Sequence, residues 1–315
     1  MISFKSFLEI ILKSKPILWG IKLLKRIILP GFEGLPLWDV LVFFVKGITK
    51  GAITQRAAAS SFNFFLALFP TFIFFFTIIP YMPIAHFQDA LMGLIKEVIP
   101  SNTFDSVQST LEDIIKRQHG GLLSVGFLMS LYFSTNGINS LIESFNRTYH
   151  VIETRSVVKQ RLISIFLVVM LTFMLIIAIS LIVFSSHFLK YLVIKGLLKR
   201  NFVFYIIIFL KWIVVIALMV LGISLIYYYA PVKKKEFRFF TAGSLLATGL
   251  SIITMLGFNI YITNFSKYNA IYGSIGTLII IMLWIYFNAI ILLVGFDLNA
   301  SIHNASKHKK SLNVP

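Results

Sequence analysis

The sequence predicts an all-α polytopic membrane protein: six transmembrane helices in one bundle, with amphipathic helices at the N-terminus and in the first outer loop. Three observations carry that prediction. Five uncharged runs, and a sixth broken only by Lys211, are long enough to cross a bilayer. The charge between them is overwhelmingly positive, with 29 Lys and Arg against 12 Asp and Glu. Phenylalanine is dense inside the runs, as in Phe62-Asn63-Phe64-Phe65 and Phe72-Ile73-Phe74-Phe75-Phe76. A soluble protein would instead spread charge through every helix to make a wet face.

A spanning helix needs about 20 predominantly apolar residues, because the hydrocarbon core is roughly 30 Å thick and a helix rises about 1.5 Å per residue. The expected spans are residues 57–81, 122–142, 162–185, 202–230, 239–263 and 274–296, the last stopping at Asp297. Nothing between them is long enough to build a separate soluble core. The chain therefore divides into a basic amphipathic segment on the cytoplasmic face (1–36), a six-span domain (37–305) and a basic cytoplasmic tail (306–315). With no Cys there is no disulfide framework, thiolate metal site or cysteine nucleophile. Glu9, Lys13 and Lys15 interrupt any apolar signal core, so no cleavable leader is expected.

The basic residues orient the bundle. Lys5, Lys13, Lys15, Lys22, Lys25, Arg26, Lys46, Lys50 and Arg56 precede the first span and hold the N-terminus in the cytoplasm. Six spans return the C-terminus to the same side, together with Arg147, Arg155, Lys159 and Arg161, then Lys233, Lys234, Lys235 and Arg238, then Lys307, Lys309 and Lys310. The third loop, 187–201, departs from the rule with Lys190, Lys195, Lys199 and Arg200 on the outer side. Its amphipathic spacing from Lys190 to Arg200 suits a strip lying along anionic headgroups, and a missed or re-entrant segment is the other explanation. Topology accounts for most of the formal charge of +17, so no nucleic-acid partner is expected.

Between the spans, residues 4–28 follow a three-and-four apolar spacing (Phe4, Phe7, Leu8, Ile11, Leu12), the pattern of an interfacial helix, and Pro30-Gly31 and Gly34-Leu35-Pro36 end it. A second amphipathic stretch runs from Trp38 to Ile53. The first outer loop, 84–119, is acidic (Asp89, Glu97, Asp105, Glu112, Asp113) and fits two helices, 85–98 and 104–117, which either gate the outer mouth of the bundle or simply pack on it.

The polar groups inside the spans are the candidate functional residues. Asn136, Asn139 or Ser140, Glu143, Asn146 or Arg147, and His150 recur every three or four residues, forming one stripe that enters the membrane from the cytoplasmic side. A buried amide without a partner costs a few kcal/mol, so the stripe faces protein or water. Two readings stand. The amides bond neighbouring helices while Glu143 pairs with Arg147, or the stripe lines a cavity whose basic rim, Arg147, Arg155 and Arg161, receives an anionic headgroup. Arg56, Lys211 and Asp297 are the gating or ion-pair candidates. Lys211 has a stem long enough to snorkel outward, whereas Asp297 has almost no reach and either pairs with the cytoplasmic arginines or sits exposed at the interface. Small residues Gly243, Ala247 and Ser251, and Gly273 and Gly276, signal close helix contact, and Pro70, Pro80 and Pro83 are expected to bend or end the first span. No phosphate loop, paired-histidine motif or carboxylate cluster is present, so no metal, cofactor or catalytic residue is expected and the chain reads as a non-enzyme.

The run from Arg56 to Pro70, the series Asn139…Asn146-Arg147-x-Tyr149…Glu153-x-Arg155…Arg161, and Tyr268 to Gly276 followed by Gly295-x-Asp297-Leu-Asn299-Ala300 resemble the YihY/virulence factor BrkB family over residues 40 to 305. The resemblance implies a six-span protein of the bacterial inner membrane, long mislabelled as ribonuclease BN and often described as a transporter, with no established catalytic residues. The expected function is transport of lipids or anionic amphiphiles through a polar cavity open to the cytoplasm, with anionic membrane lipids as partners and a homo-oligomer left open. The alternative is a non-transporting scaffold for envelope or lipid-synthesis proteins.

Overall fold

The computed structural model describes residues 22–28, 31–32, 34–50, 52–82, 87–98, 101–148, 153–195, 202–232, 238–264 and 266–312. Among them the regular structure is helical throughout: α1 (Leu37–Lys50), α2 (Ile53–Ile78, extended by a 3-10 turn Ile79–Tyr81), α3 (Phe87–Val98), α4 (Ser101–Lys116), α5 (Gly120–Thr148), α6 (Val157–Ile194), α7 (Phe202–Tyr229), α8 (Ala242–Asn264) and α9 (Ser266–Leu312). Six of these, α2 and α5 to α9, are long and apolar enough to span a bilayer. Consecutive spans pack side by side from α2 through α5, α6, α7 and α8 to α9, and α9 packs back on α2, so the bundle is a ring closed in chain order. The expected helix of residues 4–28 falls largely on residues outside the described ones.

Two helices run further than expected. No Gly or Pro interrupts residues 157–195, and α6 continues for 38 residues to Ile194, about 57 Å, roughly twice the hydrocarbon thickness. Residues 190–194 are thus the end of α6 and not a separate strip along the headgroups, and residues 196–201 lie outside the description. The sixth span does not stop at Asp297, because that carboxylate is buried in the bundle, and α9 runs on to Leu312, 47 residues in all from Ser266.

The extension of α9 has its own small core. Phe32, Leu35 and Val40 pack against Leu298, Ile302 and Ala305, with α1 laid along α9. Gly31 (φ 88°) and Gly34 (φ 74°) hold left-handed turns open to glycine, and these turns bring Phe32 and Leu35 inward. At the opposite end, α3 and α4 form a hairpin joined by Asp89–Lys116 at 2.9 Å and seated on the end of α2 through Ile79, Met92 and Ile115. Asp89 raises the Lys116 ammonium above its ordinary range. Both partners are exposed, so the apolar contacts matter more to this hairpin than the ion pair.

Close helix contact falls where the small residues are. A Cβ added at Gly243 of α8 would overlap the Gly295 carbonyl oxygen of α9. The Gly243 amide donates to Asn299 Oδ1 at 2.8 Å, and Asn299 Nδ2 donates to Thr241 Oγ1 at 3.0 Å. On the other side of α9, Gly137 of α5 lies against the Phe64 ring of α2, and Gly126 against the backbone at Phe74. Pro70 sits within α2, which continues through it. Replacing Gly243 by Ala is therefore expected to prise α8 from α9 and lower stability by about 2 kcal/mol or more, whereas Gly249→Ala, with open space around the new methyl, should be neutral or stabilising by up to about 1 kcal/mol. Thermal unfolding of the two purified variants in one detergent compares them.

Candidate functional site

The polar residues of the spans assemble at the end of the ring where α2, α6 and α8 begin and α5 and α7 end, here called the basic end. They form three groups, and only one of them is open.

The first group is a sealed clamp. Arg56, in the first turn of α2, donates from Nη2 to Asp297 Oδ2 of α9 at 3.2 Å and from Nη1 to the Ser144 carbonyl (2.7 Å) and Thr148 Oγ1 (2.6 Å) of α5. Thr148 Oγ1 lies 2.6 Å from Asp297 Oδ1 and donates to it. Both charged side chains are almost fully buried, at 4% and 2% exposure. A pair of opposite charges in such surroundings is tolerable only when the remaining donors and acceptors are also met, which the Ser144 carbonyl and Thr148 hydroxyl achieve, leaving Arg56 Nε as the one unpartnered atom of the clamp. Directly beneath, the rings of Phe145 (α5) and Phe296 (α9) stack at 4.1 Å, and Tyr227 (α7) meets both edge-on. Its hydroxyl donates to the Leu292 carbonyl at 2.7 Å. The ring of spans is filled at this level.

The second group is a latch. Arg155 grips Glu153 with two parallel bonds, Nε to Oε1 at 2.7 Å and Nη2 to Oε2 at 2.8 Å. Arg155 also donates to the carbonyls of Ala230 (2.8 Å) and Tyr229 (3.4 Å), two of the acceptors left over where α7 ends. Asn146, buried, donates to Glu153 Oε2 at 2.9 Å and accepts from the Val232 amide at 3.0 Å. These bonds hold the segment between α5 and α6 to the end of α7. The Arg155 guanidinium is the main reason the Glu153 carboxyl sits below its ordinary range.

The third group lines a cleft of about 520 Å³ between α5 and α6. Asn136, Asn139 and Glu143 form its wall on α5, one face at three-and-four spacing, and Gln160 and Arg161 face them from α6 beside apolar Val157, Val158 and Leu162. Asn136 is about 18 Å along the axis from the end of α5, well into the span. The amides are bonded across the two helices: Arg161 Nη1 donates to Asn136 Oδ1 at 2.7 Å, and Ser164 Oγ donates to Asn139 Oδ1. The Arg161 guanidinium also lies 4.7 Å from the Tyr132 ring centre. Glu143 is exposed, and so are Val157, Val158 and Leu162, so the cleft opens outward at the start of α6.

The stripe expected as one surface is thus split. Asn136, Asn139, Glu143 and Arg161 come together in the cleft, whereas Asn146 and Arg155 are consumed by the latch and are not a receptive rim. Glu143 and Arg147 are both exposed and form no ion pair with each other. Arg56 and Asp297 meet as a pair, buried where a rim or interfacial exposure was the alternative. Lys211 is brought to none of these groups: it lies in the first half of α7, half-buried, with its ammonium 5.4 Å from the neighbouring Trp212 ring and no acidic partner among the described residues. Thr148, Ser144, Ser164 and Gln160 were missed. Ser144 and Thr148 are four apart and could have been found as one helix face with Asn-rich neighbours.

Removing Arg56 leaves Asp297 buried and unpaired, so Arg56→Ala is expected to cost about 3–5 kcal/mol. The double variant Arg56→Ala/Asp297→Ala should cost at least about 1.5 kcal/mol less than the summed singles, which a double-mutant cycle of denaturant unfolding measures. The latch carries a pH signature. Because the native pKa of Glu153 is depressed, its stabilisation is present above the unfolded carboxyl value of about 4.3 and is lost as pH falls through the native value. Glu153→Gln should lower the midpoint of thermal unfolding at neutral pH and flatten its fall on acidification to about pH 3.

The sequence description of the family "Virulence factor BrkB" matches residues 44–314. A ribonuclease-like protein of Bacillus subtilis, YfkH, is 33% identical over 259 residues, covering 80% of this chain and 91% of the relative. A UPF0761 membrane protein of Alteromonas mediterranea is 25% identical over 278 residues, covering 88% and 92%, and another from Haemophilus influenzae is 24% identical over 270 residues, covering 83% and 94%. No solved structure matches the chain. The match takes in the clamp, the latch and the cleft alike, and the chain belongs to the Virulence factor BrkB family of membrane proteins.

Proposed function

We propose that the protein is a transporter of amphiphiles whose headgroup carries a phosphate or carboxylate, and that the cleft between α5 and α6 is where the headgroup enters, with the basic end facing the cytoplasm of a bacterial inner membrane. The observation that carries this reading is the composition of the cleft. One wall is polar over about two helical turns, the other sets Gln160 and Arg161 beside the exposed apolar Val157, Val158 and Leu162, and the space of about 520 Å³ is of ligand size. A headgroup on Arg161 and the amides, with its chain along Val157, Val158 and Leu162, leaves the chain in lipid and the charge out of it. Among the described residues Arg161 donates one hydrogen bond, to Asn136, and a guanidinium has five donors, so several remain for an oxyanion.

The ribonuclease-like name of the Bacillus relative asks for acid–base residues against accessible RNA. Here the cleft wall offers one carboxylate, Glu143, beside lipid-facing valines, and we take the chain as a non-enzyme. In the alternative reading as a scaffold, the cleft needs no contents.

The test is flux of tail-labelled phosphatidylglycerol and phosphatidylethanolamine in vesicles containing the purified chain. Arg161→Ala should slow it about tenfold, equivalent to one lost charge-assisted contact of roughly 1.4 kcal/mol. Val158→Trp, which fills the cleft from an exposed position without removing an internal bond, should slow it as well. Arg147→Ala, exposed outside the cleft, should stay within about twofold of the parent. Parent protein that moves no lipid supports the scaffold and overturns the transporter.

A further inference from the structure

The cleft holds two opposite charges that do not satisfy each other. Glu143 and Arg161 both line it, yet no ion pair within 4 Å joins them, and Glu143 has no cationic partner elsewhere among the described residues. Arg147, one turn further along α5, would be the ordinary partner for Glu143 at i, i+4, and no ion pair joins the two. The neighbouring arginines are occupied, Arg56 by Asp297 and Arg155 by Glu153. Arg161 is held by Asn136 Oδ1 and lies over the Tyr132 ring, 4.7 Å from its centre. The cleft is therefore not a basic funnel for a purely anionic group. A carboxylate there repels a headgroup of net negative charge and attracts one that adds an ammonium.

We infer that the cleft takes a zwitterionic amphiphile, an amine-bearing phospholipid headgroup, with its phosphate on Arg161 and its ammonium on Glu143. This rests on the transporter reading above and narrows its substrate class. The ammonium neutralises Glu143, the phosphate takes the unused guanidinium donors, and Asn139 and Gln160 line the same cleft as neutral hydrogen-bonding groups. Both charges are then paired in a site flanked by lipid, where an unpaired charge is costly.

The test compares two lipids that differ by one charge: tail-labelled phosphatidylethanolamine and its N-acetylated form, which keeps the phosphate and loses the ammonium. In vesicles containing the full chain, the amine lipid is expected to move about fivefold faster. Glu143→Gln should bring the ratio of the two rates close to one, and Glu143→Asp, which keeps the charge, should retain a ratio clearly above one. Equal rates for the two lipids in the parent, faster movement of the N-acetylated lipid, or a preference that survives Glu143→Gln overturns the inference while leaving transport itself standing. Movement of neither lipid, nor of phosphatidylglycerol, overturns the transporter reading and the inference with it.

Discussion

The buried pair Arg56–Asp297 is the constraint around which the basic end is organised. A guanidinium and a carboxylate removed from water are tolerable only if each finds its partner and the leftover hydrogen-bonding atoms are met as well. Meeting them requires α2, α5 and α9 at one point, because the partners of Arg56 lie on α5 (Ser144, Thr148) and α9 (Asp297). The first and last spans are thereby joined and the ring of six closes. With Asp297 neutralised inside the bundle, α9 has no reason to end there, and its continuation supplies the surface on which Phe32, Leu35 and Val40 pack. The stacked rings of Phe145 and Phe296 lie just below the clamp on the same two helices, so apolar packing and the ion pair fix the same geometry.

Because charge inside a membrane protein is expensive, the use made of each arginine separates scaffold from site. Arg56 is spent on closing the ring and Arg155 on tying down the α5–α6 connection and finishing α7. Arg161 is positioned, among the described residues, by its bond to Asn136 and by the Tyr132 ring, with donors to spare. Arg147 is exposed at the C-terminal end of α5, where a cation is favourable to the helix dipole. The cleft exists because α5 and α6 are held together by amide and hydroxyl bonds on polar side chains, Asn136–Arg161 and Asn139–Ser164, while α5 and α2 meet at glycine. Bonds through longer side chains keep the helices further apart, and the space between them remains.

The six spans were legible in the sequence because run length and charge act locally. The close crossing of α8 and α9 was legible in part: Gly243 and Ala247 marked one side, and their partner Gly295 lies in a stretch noticed for other reasons. Helix ends were not legible where long-range pairing overrides a local signal. Asp297 has the look of a span boundary until Arg56, some 240 positions earlier in the chain, takes its charge away. The same limit applied to the polar stripe. Periodicity placed Asn136, Asn139, Glu143 and Asn146 on adjoining turns of α5, but which neighbour each would meet depends on how α6 and α7 pack, and that divides a single stripe into cleft and latch. Lys211 shows the converse: a cation within a span that meets no carboxylate among the described residues and lies beside the Trp212 ring.

The central claim is that the basic end has one sealed polar group and one open one. The chain has no cysteine, so single cysteines can be introduced one at a time and tested with a membrane-impermeant thiol reagent on membranes of either orientation. Cysteines at 143 and 158, in the cleft, should label rapidly from the side on which α5 ends, and cysteines at 144 and 301, beside the clamp and buried, should resist labelling until the protein is unfolded. Rapid labelling at 144 and 301, or protection at 143 and 158, would contradict the account.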